Sequence, residues 1–247
     1  MYVFGGFEED GISREVHSLD LETMQWQQVL TTGRPPLWRF YHSASAIGDR
    51  MYVWGGEIDV DEPYGMQSNT FSNSIAFLDT VTSCWEHPSA EGTPPMGRRG
   101  HAAFEYKGQL YIFGGHNEDL KRNFGDIHKY DPMTSCWSPV KIQKEGPCAR
   151  RGPCCCIVGD RLFVFGGRSP EPVQRNGQHV DEQHAAEEAC IEHSDLHILD
   201  FAPTLKTPCF VAIIEARLDF NNLPQYIKRE ISAMTPSKIS RPFLTTG

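Results

Sequence analysis

The sequence lacks the features that mark membrane, secreted and nucleic-acid-binding proteins. No apolar run approaches the roughly 20 residues that a membrane helix needs, and the N-terminus has no basic region followed by an apolar stretch. Positive charge is scarce, because 23 Lys and Arg stand against 32 Asp and Glu, for a formal net charge of -9. Such a surface opposes binding to a polyanion. We expect a cytoplasmic or nuclear protein that contacts neither a membrane nor nucleic acid directly.

Metal-binding and disulfide patterns are also missing. The chain has 8 Cys, but no Cys-x-x-Cys pair occurs with a second such pair or a His pair at zinc-finger spacing. His179, His184 and His193 are irregularly spaced in an acidic segment, which is typical of a solvated loop. We predict no metal and no cofactor. The cysteines are expected to be reduced, with Cys154–Cys156 acting as small hydrophobic residues on a buried strand.

What the sequence does have is an internal repeat in a chain of 247 residues that is 39% hydrophobic. An apolar run ending in Gly-Gly occurs four times, with its first glycine at Gly5, Gly55, Gly114 and Gly166. An Asp and, six residues later, a Trp follow the first three runs, and Trp26, Trp85 and Trp137 each lie 29 residues before the next Gly-Gly. All length variation therefore falls between Gly-Gly and Trp, in loops that lie on one rim of the fold.

Each repeat reads as a small antiparallel sheet. Four runs rich in β-forming residues are predicted as strands in the second repeat, at 42–47, 51–54, 75–78 and 84–87, and Gly48-Asp49 forms the turn between the first two. A period near 50 residues indicates propeller blades. The pattern resembles the kelch repeat, which implies an all-β kelch β-propeller.

The repeats do not add up to a closed ring. The blades are predicted at about 1–30, 42–88, 101–140 and 154–200, within a partial propeller over 1–201. The first lacks its inner strand, and the last has no Trp strand. Because these missing strands cannot replace each other, we expect an N-terminally truncated form of a six-bladed protein. A helical segment is predicted at 202–234 and a flexible tail at 235–247.

The helical segment carries an apolar stripe. Leu205, Cys209 and Ile213 recur every four residues, and Thr204 is a good N-cap. One alternative is that this stripe packs against the propeller. These residue types at this spacing also resemble the elongin C binding box, in which the Leu fills a pocket on elongin C. Pro208 departs from a regular first turn.

A second short helix is predicted to begin at Leu223-Pro224, with Pro at its first position. It resembles a cullin box, and Tyr226 in place of a second proline favours the cullin-2 form. Together the elements resemble the kelch substrate receptors of cullin-2 RING ubiquitin ligases. The resemblance implies a non-catalytic subunit whose partners are elongin B/C, cullin-2, a RING subunit and substrate proteins with glycine-ending C-termini, the C-degrons.

A C-terminal carboxylate is best held by arginines on loops around a central channel. The candidates are Arg39, Arg98, Arg99, Arg150, Arg151 and Arg168. The resembling family has an Arg just after one Gly-Gly, whereas this chain has Glu57 followed by further acids. Either Arg168 or Arg122 replaces that Arg, or the acids pair with a basic residue of the degron. For any single arginine the alternative is a hydrogen-bonding role between blades. Capture of the chain's own terminal Gly247 is a further expectation.

Two other functions compete with the receptor. A plain kelch scaffold would bind actin, chromatin or a signalling partner and would use the tail only for packing. A kelch-fold oxidase or hydrolase would need a Cys-Tyr copper site or an acid/base pair, and we find neither arrangement in the sequence.

Overall fold

The computed structural model describes residues 1–9, 11–58, 70–143, 146–171, 190–234, 239–240 and 243–245. This part of the chain consists mostly of β-strands, with two helices near its C-terminal end. It divides into two compact units, one of Met1–Pro139 with Ala149–Pro153 and the other of Val140–Cys148 with Cys154–Gly247. Neither helix is long and apolar enough to cross a membrane, among the residues described.

Blade 1 opens the first unit and has three antiparallel strands. They are β1 (Tyr2–Glu8), β2 (Gly11–Leu19) and β3 (Trp26–Gln28). A groove of about 410 Å³ lies beside Met1 and Tyr2 of β1 and is lined on its other side by Ala44 and Ala46.

Blade 2 contains the four strands predicted from its β-forming runs. Its elements are β4 (Thr32–Gly33), β5 (Arg39–Phe40), β6 (Ser43–Ile47), β7 (Arg50–Trp54), β8 (Glu57–Ile58), β9 (Thr70–Phe71), β10 (Ile75–Asp79) and β11 (Cys84–Glu86). The main sheet has the order β6-β7-β10-β11, and β4 adds to β11 in parallel. The short strands β5, which precedes β6, and β8 and β9, which follow Gly55-Gly56, form a separate sheet.

Blade 3 repeats this plan. Its elements are β12 (Glu91–Gly92), β13 (Ala102–Tyr106), β14 (Gln109–Phe113), β15 (His116–Asn117), β16 (Arg122–Asn123), β17 (Ile127–Asp131) and β18 (Cys136–Gln143). Here β12 adds to β18 in parallel, as β4 adds to β11. The equivalence of blades 2 and 3 lets a residue in one be compared directly with its counterpart in the other.

Apolar side chains between successive blades form the core of the first unit. Phe4 of blade 1 packs on Trp85 of blade 2, with ring centroids 4.9 Å apart, and Trp54 of blade 2 packs on Trp137 of blade 3 at 5.7 Å. Burial of large aromatic rings in this way supplies much of the stability of a β-sheet core. Trp85 and Trp137 are therefore the residues that pack blades 2 and 3 against the preceding blade.

The Gly-Gly pairs make this packing possible. Both glycines of each pair have positive φ, for example 71° at Gly55 and 87° at Gly56. A Cβ on Gly55 would lie 2.6 Å from the ring of His101 in the next blade, and one on Gly56 would lie 2.8 Å from His42 Cβ. Only glycine combines this conformation with such close approach.

Blade 4 and the helical tail form the second unit. The elements are β19 (Cys154–Val158), β20 (Arg161–Phe165), β21 (Arg168–Pro170), β22 (Cys190–Glu192), β23 (Leu196–Asp200), α1 (Lys206–Glu215), α2 (Gln225–Met234), β24 (Ile239–Ser240) and β25 (Phe243–Thr245). The antiparallel sheet β19-β20-β23 has the predicted position and lacks a Trp strand, as expected.

The chain's own C-terminal end takes the outer place in blade 4. Strands β24 and β25 pair with β23 in parallel, whereas the Trp strands of the other blades pair antiparallel with their neighbours, and β25 also pairs with Lys141–Gln143 of β18. A flexible tail is predicted for 235–247, and strands form within that range. The backbone groups of β23 find partners in this way without a Trp strand.

The prediction that Cys154–Cys156 are buried is wrong for two of the three. Cys154 and Cys156 are exposed and Cys155 is half-buried. Strand β19 pairs Cys154 with Phe165 and Cys156 with Phe163, so these side chains share one face of blade 4, and that face is open to solvent. No disulfide joins any of the 8 cysteines, all of which lie in the described residues.

Candidate functional site

Three of the six candidate arginines are buried within the first unit. Arg39, Arg98 and Arg150 are almost fully inaccessible to solvent. Arg39 Nη1 donates a hydrogen bond to the Gly55 carbonyl at 3.0 Å, and Arg98 Nη1 donates the equivalent bond to the Gly114 carbonyl at 3.0 Å. These side chains therefore hold the backbone of the Gly-Gly turns in place.

Arg98 makes stronger contacts than Arg39, because one of its partners is a carboxylate. It forms a bidentate pair with Asp126, at 2.6 and 3.1 Å, and its guanidinium lies 3.7 Å from the centroid of the Phe124 ring. Burial alone would raise the pKa of the Asp126 carboxyl, but hydrogen bonds from His128 and Arg98 outweigh burial and hold this pKa well below its usual range. In blade 2 the counterpart of Asp126 is Ser74, which lies 3.5 Å from Arg39 Nη2.

The prediction that Arg39, Arg98 and Arg150 bind a ligand at a loop surface is therefore wrong for this structure. Their guanidinium groups are enclosed, and a ligand carboxylate cannot reach them without displacing the surrounding backbone. The alternative considered for any single arginine was a hydrogen-bonding role between blades, but the side chains of Arg39 and Arg98 bond within their own blades, to the Gly55 and Gly114 carbonyls.

Arg99 and Arg151, which directly follow Arg98 and Arg150, are half-buried. Arg99 is part of a cluster that we name the arginine cluster: Arg99, Arg151, Glu57, Glu118 and His116. Arg99 forms ion pairs with Glu57 and, at 3.3 Å, with Glu118. Its guanidinium also lies 5.8 Å from the Tyr41 ring and 5.9 Å from the Phe71 ring, within the range of cation–π attraction.

Glu118 occupies the most accessible position in the arginine cluster. Its carboxylate lies 2.9 Å from His116 Nε2, and its side chain is 61% exposed. The hydrogen bond with His116, followed by the positive charges of Arg99 and Arg151, lowers the pKa of the Glu118 carboxyl against the opposing effect of burial. Glu118 thus places a carboxylate between two arginines, in the surroundings that a C-terminal carboxylate requires.

The other acids predicted for this region differ in their availability. Glu57 is buried and ion-paired with Arg99, so it is not free to pair with a basic residue of a ligand. The acids at 59, 61 and 62 lie outside the described residues. Arg168, in the second unit, is exposed and lies in β21 opposite Glu192. Arg122 lies in β16, with its guanidinium 5.2 Å from the Phe124 ring.

A strained tyrosine stands beside the arginine cluster. Tyr41, Gly100 and Gly152 occupy equivalent positions, two residues after the buried arginines, with φ of 52°, 59° and 64°. Their backbones are linked in series, because Gly100 N donates to the Tyr41 carbonyl at 3.0 Å and Gly152 N donates to the Gly100 carbonyl at 2.7 Å. A bulky residue in a conformation that favours glycine is a strain found most often at functional sites.

Tyr41 belongs to an exposed aromatic group that the sequence analysis missed. The ring centroids of Phe7 and Phe40 are 4.5 Å apart, and those of Phe40 and Tyr41 are 5.4 Å apart. Phe7 and Tyr41 are largely exposed to solvent. The available signal was the alignment of Tyr41 with two glycines in the other loops. Clustered exposed aromatic rings are typical of a binding surface.

The second candidate surface lies on α1, in the other unit. Leu205 is 87% exposed, Cys209 is exposed and Ile213 is half-buried, and we call these three residues the tail face. Phe210, about a quarter of a turn around the helix from the middle of this face, is buried. Lys206 Nζ lies 2.5 Å from Glu230 of α2, which ties the two helices together. The helix therefore buries one side and leaves the predicted stripe open along most of its length.

The start of α1 differs from the prediction. Leu205 is the N-cap residue, with no side-chain cap, and the Thr204 carbonyl accepts a hydrogen bond from Thr207 N at 2.9 Å. Thr204 is therefore not the N-cap, because the first turn uses its carbonyl in place of its hydroxyl. Pro208 is the third helical residue, where the N–H has no partner within a helix, so it costs no hydrogen bond.

The second helix begins at Gln225, slightly later than predicted, so Pro224 is not its first residue. Pro224 immediately precedes α2, and its carbonyl accepts a hydrogen bond from Lys228 N at 3.1 Å. Ile231 is completely buried, while Leu223 is half-buried and Pro224 is exposed. His179, His184 and Gly247 lie outside the described residues, and His193 Nε2 lies 2.8 Å from Ser169 Oγ.

Comparison with known proteins identifies the family. The sequence pattern of the KLHDC2/KLHL20/DRC7 Kelch-repeats domain matches residues 1–167. The chain belongs to the kelch-repeat family. The β-sheets described above are kelch blades. Proteins of this family are typically protein-interaction modules, which indicates a protein-binding role.

The chain spans less than two thirds of the length of the kelch-repeat relatives that it matches best over its whole length. It is 44% identical over 249 residues to kelch domain-containing protein 3 of Homo sapiens and 45% identical to that of Mus musculus. The alignment covers 100% of this chain and 63% of each relative's length. A more distant relative, the Rab9 effector protein with kelch motifs of Gallus gallus, is 37% identical over half of this chain and 32% of its own length.

Proposed function

We propose that this kelch-repeat chain is the substrate-recognition subunit of a cullin-2 RING ubiquitin ligase. In this proposal the blades bind the C-termini of substrate proteins, the tail face binds elongin C, and the Leu223-Pro224 segment contacts cullin-2. Elongin B and a RING subunit complete the assembly, which acts in the cytoplasm or nucleus. The chain itself supplies no catalytic group.

The observation that carries the proposal is the orientation of α1. A solitary leucine of a packing helix is expected to point toward the fold, because burying it stabilises the protein by about 2 kcal/mol. In α1 it is Phe210 that is buried, while Leu205 and Cys209 face solvent. An apolar residue beside a small one on an open helix face is suited to a partner that grips the helix in a groove.

The arginine cluster supports the second half of the proposal. In this proposal a substrate's terminal carboxylate displaces Glu118 and binds Arg99 and Arg151, while Tyr41 packs against the last residues of the peptide. Glu118, once displaced, pairs with a basic side chain just before the terminus. Glu57 stays paired with Arg99 and keeps its guanidinium in position.

The first experiment measures binding of elongin B/C to the full chain by calorimetry. Leu205→Ala and Cys209→Phe are expected to weaken binding at least about 30-fold, because the first removes the anchor and the second blocks close approach. Leu30→Ala, at an equally exposed leucine of blade 1, serves as the matched control and is expected to have no effect. Equal binding by all variants would favour the alternative, a kelch scaffold whose tail serves only for packing.

The second experiment uses peptides of identical sequence with free or amidated C-termini. Free termini are expected to bind about 10- to 100-fold more tightly, since a carboxylate–arginine pair contributes about 1.5–3 kcal/mol. Arg99→Gln is expected to remove this difference. Lys107→Gln, which removes a charge from the turn between β13 and β14, is the charge-matched control.

Peptide sequence tests the role of Glu118. Peptides with Arg or Lys just before the terminal glycine are expected to bind more tightly than those with Asp or Glu, and Glu118→Gln is expected to abolish that preference while leaving the effect of amidation. Equal affinity of basic and acidic peptides at low salt would contradict this part of the proposal.

A further inference from the structure

A cysteine, a histidine and a serine come together at the loops of blade 4, within the second unit. Cys148 lies in the loop before β19, Ser169 lies in β21, and His193 directly follows β22. His193 Nε2 is 3.6 Å from Cys148 Sγ and 2.8 Å from Ser169 Oγ. We name these three residues the thiol site. None of them has a part in the proposed function.

The histidine stands at a position that the repeat fixes. His193 N donates a hydrogen bond to the Gly167 carbonyl at 2.9 Å, and the N–H groups of Ser72 and Phe124 make the same bond to a Gly-Gly carbonyl in blades 2 and 3. His193 therefore takes the place of Ser72 in blade 2 and of Phe124 in blade 3. Neither serine nor phenylalanine is a base near neutral pH, so among these three blades it is blade 4 that has a proton acceptor here.

The exposure of Cys148 is a property of the repeat. Cys148 lies two residues before the buried Arg150, and Leu37 and Met96 hold the same position in blades 2 and 3. Blade 2 packs on a blade at either side, and its Leu37 is nevertheless 44% exposed, while Met96 is 50% exposed. Cys148 is exposed as well. A small molecule can thus reach this position whether or not another blade covers blade 4.

The partner of Cys148 differs in kind from the partners of two other cysteines. Cys84 Sγ donates a hydrogen bond to the Trp85 carbonyl at 3.8 Å, and Cys136 Sγ donates one to the Trp137 carbonyl at 3.7 Å. Because a carbonyl oxygen can only accept, these bonds hold the proton on sulfur. An imidazole nitrogen can instead take the proton and then donate to the thiolate, which is the nucleophilic form of cysteine.

We propose that Cys148 is a reactive thiol that exchanges with small-molecule disulfides, with His193 as its base. The proton of Cys148 Sγ passes to His193 Nε2, and the thiolate attacks one sulfur of the disulfide. A bond from Sγ to that sulfur forms as the S–S bond of the disulfide breaks, and the second sulfur leaves as a thiolate that takes the proton from His193. Cys148 is oxidised and the leaving half of the disulfide is reduced, so the exchange needs no further reactant.

Ser169 keeps the ring of His193 in place during this exchange. Its hydroxyl can donate a hydrogen bond to Nε2 of the neutral ring and accept one from Nε2 of the protonated ring. The contact of 2.8 Å therefore serves both states of the histidine.

Site-resolved mass spectrometry of the full chain, treated with hydroxyethyl disulfide near neutral pH, tests the proposal. This probe is small and uncharged, so the charges around a cysteine do not attract or repel it. Cys148 is expected to form the mixed disulfide about 10-fold faster than Cys154, Cys156 and Cys209, because an adjacent histidine raises the thiolate fraction of a cysteine. These three exposed cysteines are internal standards within the same molecule.

The His193→Gln variant separates the effect of the base from that of exposure. Glutamine forms hydrogen bonds but takes up no proton, so the rate at Cys148 is expected to fall to that at Cys209, whose own rate stays the same. Ser169→Ala is expected to lower the rate at Cys148 by a smaller factor. His17→Gln, at a partly exposed histidine of blade 1, is the matched control and is expected to change neither rate.

The half-buried Cys84 and Cys136 report on folding in the same experiment. Both are expected to remain unmodified in every variant that folds, since their thiols are bonded within blades 2 and 3. Their modification in a variant would identify unfolding, and Ser169→Ala would then supply the test in place of His193→Gln.

Two results would overturn the proposal. One is a rate at Cys148 that is no higher than the rate at Cys209 in the unmodified chain. The other is a folded His193→Gln variant in which Cys148 keeps its full rate, which would mean that exposure alone decides its reactivity. These measurements use neither elongin nor a C-terminal peptide, so their failure and that of the proposed function are distinguishable.

Discussion

The interface between blades 2 and 3 and the tail face of α1 are both built from regularly spaced apolar residues, but they are used in opposite ways. Trp137 lies against Trp54 and Tyr130 and is sealed from water, while Leu205 stands almost fully in solvent. The hydrophobic effect acts only on surface that is removed from water. The first region therefore stabilises the fold, and the second is available to stabilise a complex.

Exchanging an aromatic residue for alanine gives the largest contrast. Trp137→Ala is expected to lower the free energy of unfolding by about 3–5 kcal/mol, because it leaves a cavity between two blades. Leu205→Ala is expected to change this free energy by less than about 0.5 kcal/mol. Urea unfolding followed by circular dichroism measures both, and similar losses in the two variants would remove the distinction between the regions.

The neighbouring arginines sharpen the contrast within a single loop. Arg98→Leu is expected to cost about 2–4 kcal/mol, because it leaves Asp126 and the Gly114 carbonyl without their partner. Arg99→Leu is expected to cost less than Arg98→Leu, because its pair with Glu118 is largely solvated and Glu57 is the one buried group that loses its partner. A greater loss of stability at Arg99 than at Arg98 would contradict the assignment of roles.

Acid tests the buried interface in another way. Burial, with the nearby positive charge of Arg98, lowers the pKa of His101 to about 3, and burial with Arg39 lowers that of His42 to about 4. In the unfolded chain both titrate near 6.5. Below pH 6.5 the unfolded chain takes up protons that the folded chain refuses, so stability is expected to fall as the pH drops from about 6.5 toward 4.

The expected slope is at most about 1.4 kcal/mol per pH unit for each histidine. Urea unfolding at pH 7.5, 6 and 5 measures it, and His101→Gln is expected to reduce it. An unchanged slope in the double variant His42→Gln and His101→Gln would contradict the assignment of this response to the two histidines.

Substitution of the strained residue Tyr41 is expected to have opposite effects on stability and on peptide binding, and its effect on stability is one of the smallest predicted for this chain. Tyr41→Gly is expected to raise the free energy of unfolding by about 0.5–1 kcal/mol, because glycine adopts φ of 52° without a steric cost. Ser83→Gly, at φ of 54° in a blade 2 turn, is the matched control and is expected to give a similar gain. Only Tyr41→Gly is expected to weaken binding of C-terminal peptides, and unchanged binding would make Tyr41 a residue without that role.

The sequence predicts the repeat well, because β-forming runs and the fixed spacing of Gly-Gly and Trp are local signals. It places the strands of blade 2 within a residue or two of their observed ends. The burial of Arg98 beside the exposure of Arg99 is not predictable in this way, since both residues are arginines in the same loop. Their difference depends on the Gly114 carbonyl and Asp126, which are 16 and 28 residues away in sequence and reach Arg98 only when the strands of blade 3 come together.

Long-range pairing limits the sequence analysis at the other end of the chain. The exposure of Cys154 and Cys156 depends on what covers blade 4, and an apolar run does not reveal this. The parallel pairing of β24 and β25 with β23 joins segments separated by more than 40 residues, so no turn signal announces it. The open side of α1 was predicted as one of two alternatives, because its spacing fits burial and binding equally well.

The backbone bonds that join Tyr41 to Gly100, and Gly100 to Gly152, have a mechanical consequence. These hydrogen bonds connect three loops from successive repeats, so a displacement of one loop is transmitted to the other two. The hydrogen-exchange rates of the Gly100 and Gly152 amide protons are expected to be slow and to change together. A peptide that grips one loop would thereby stiffen the others at little additional entropic cost.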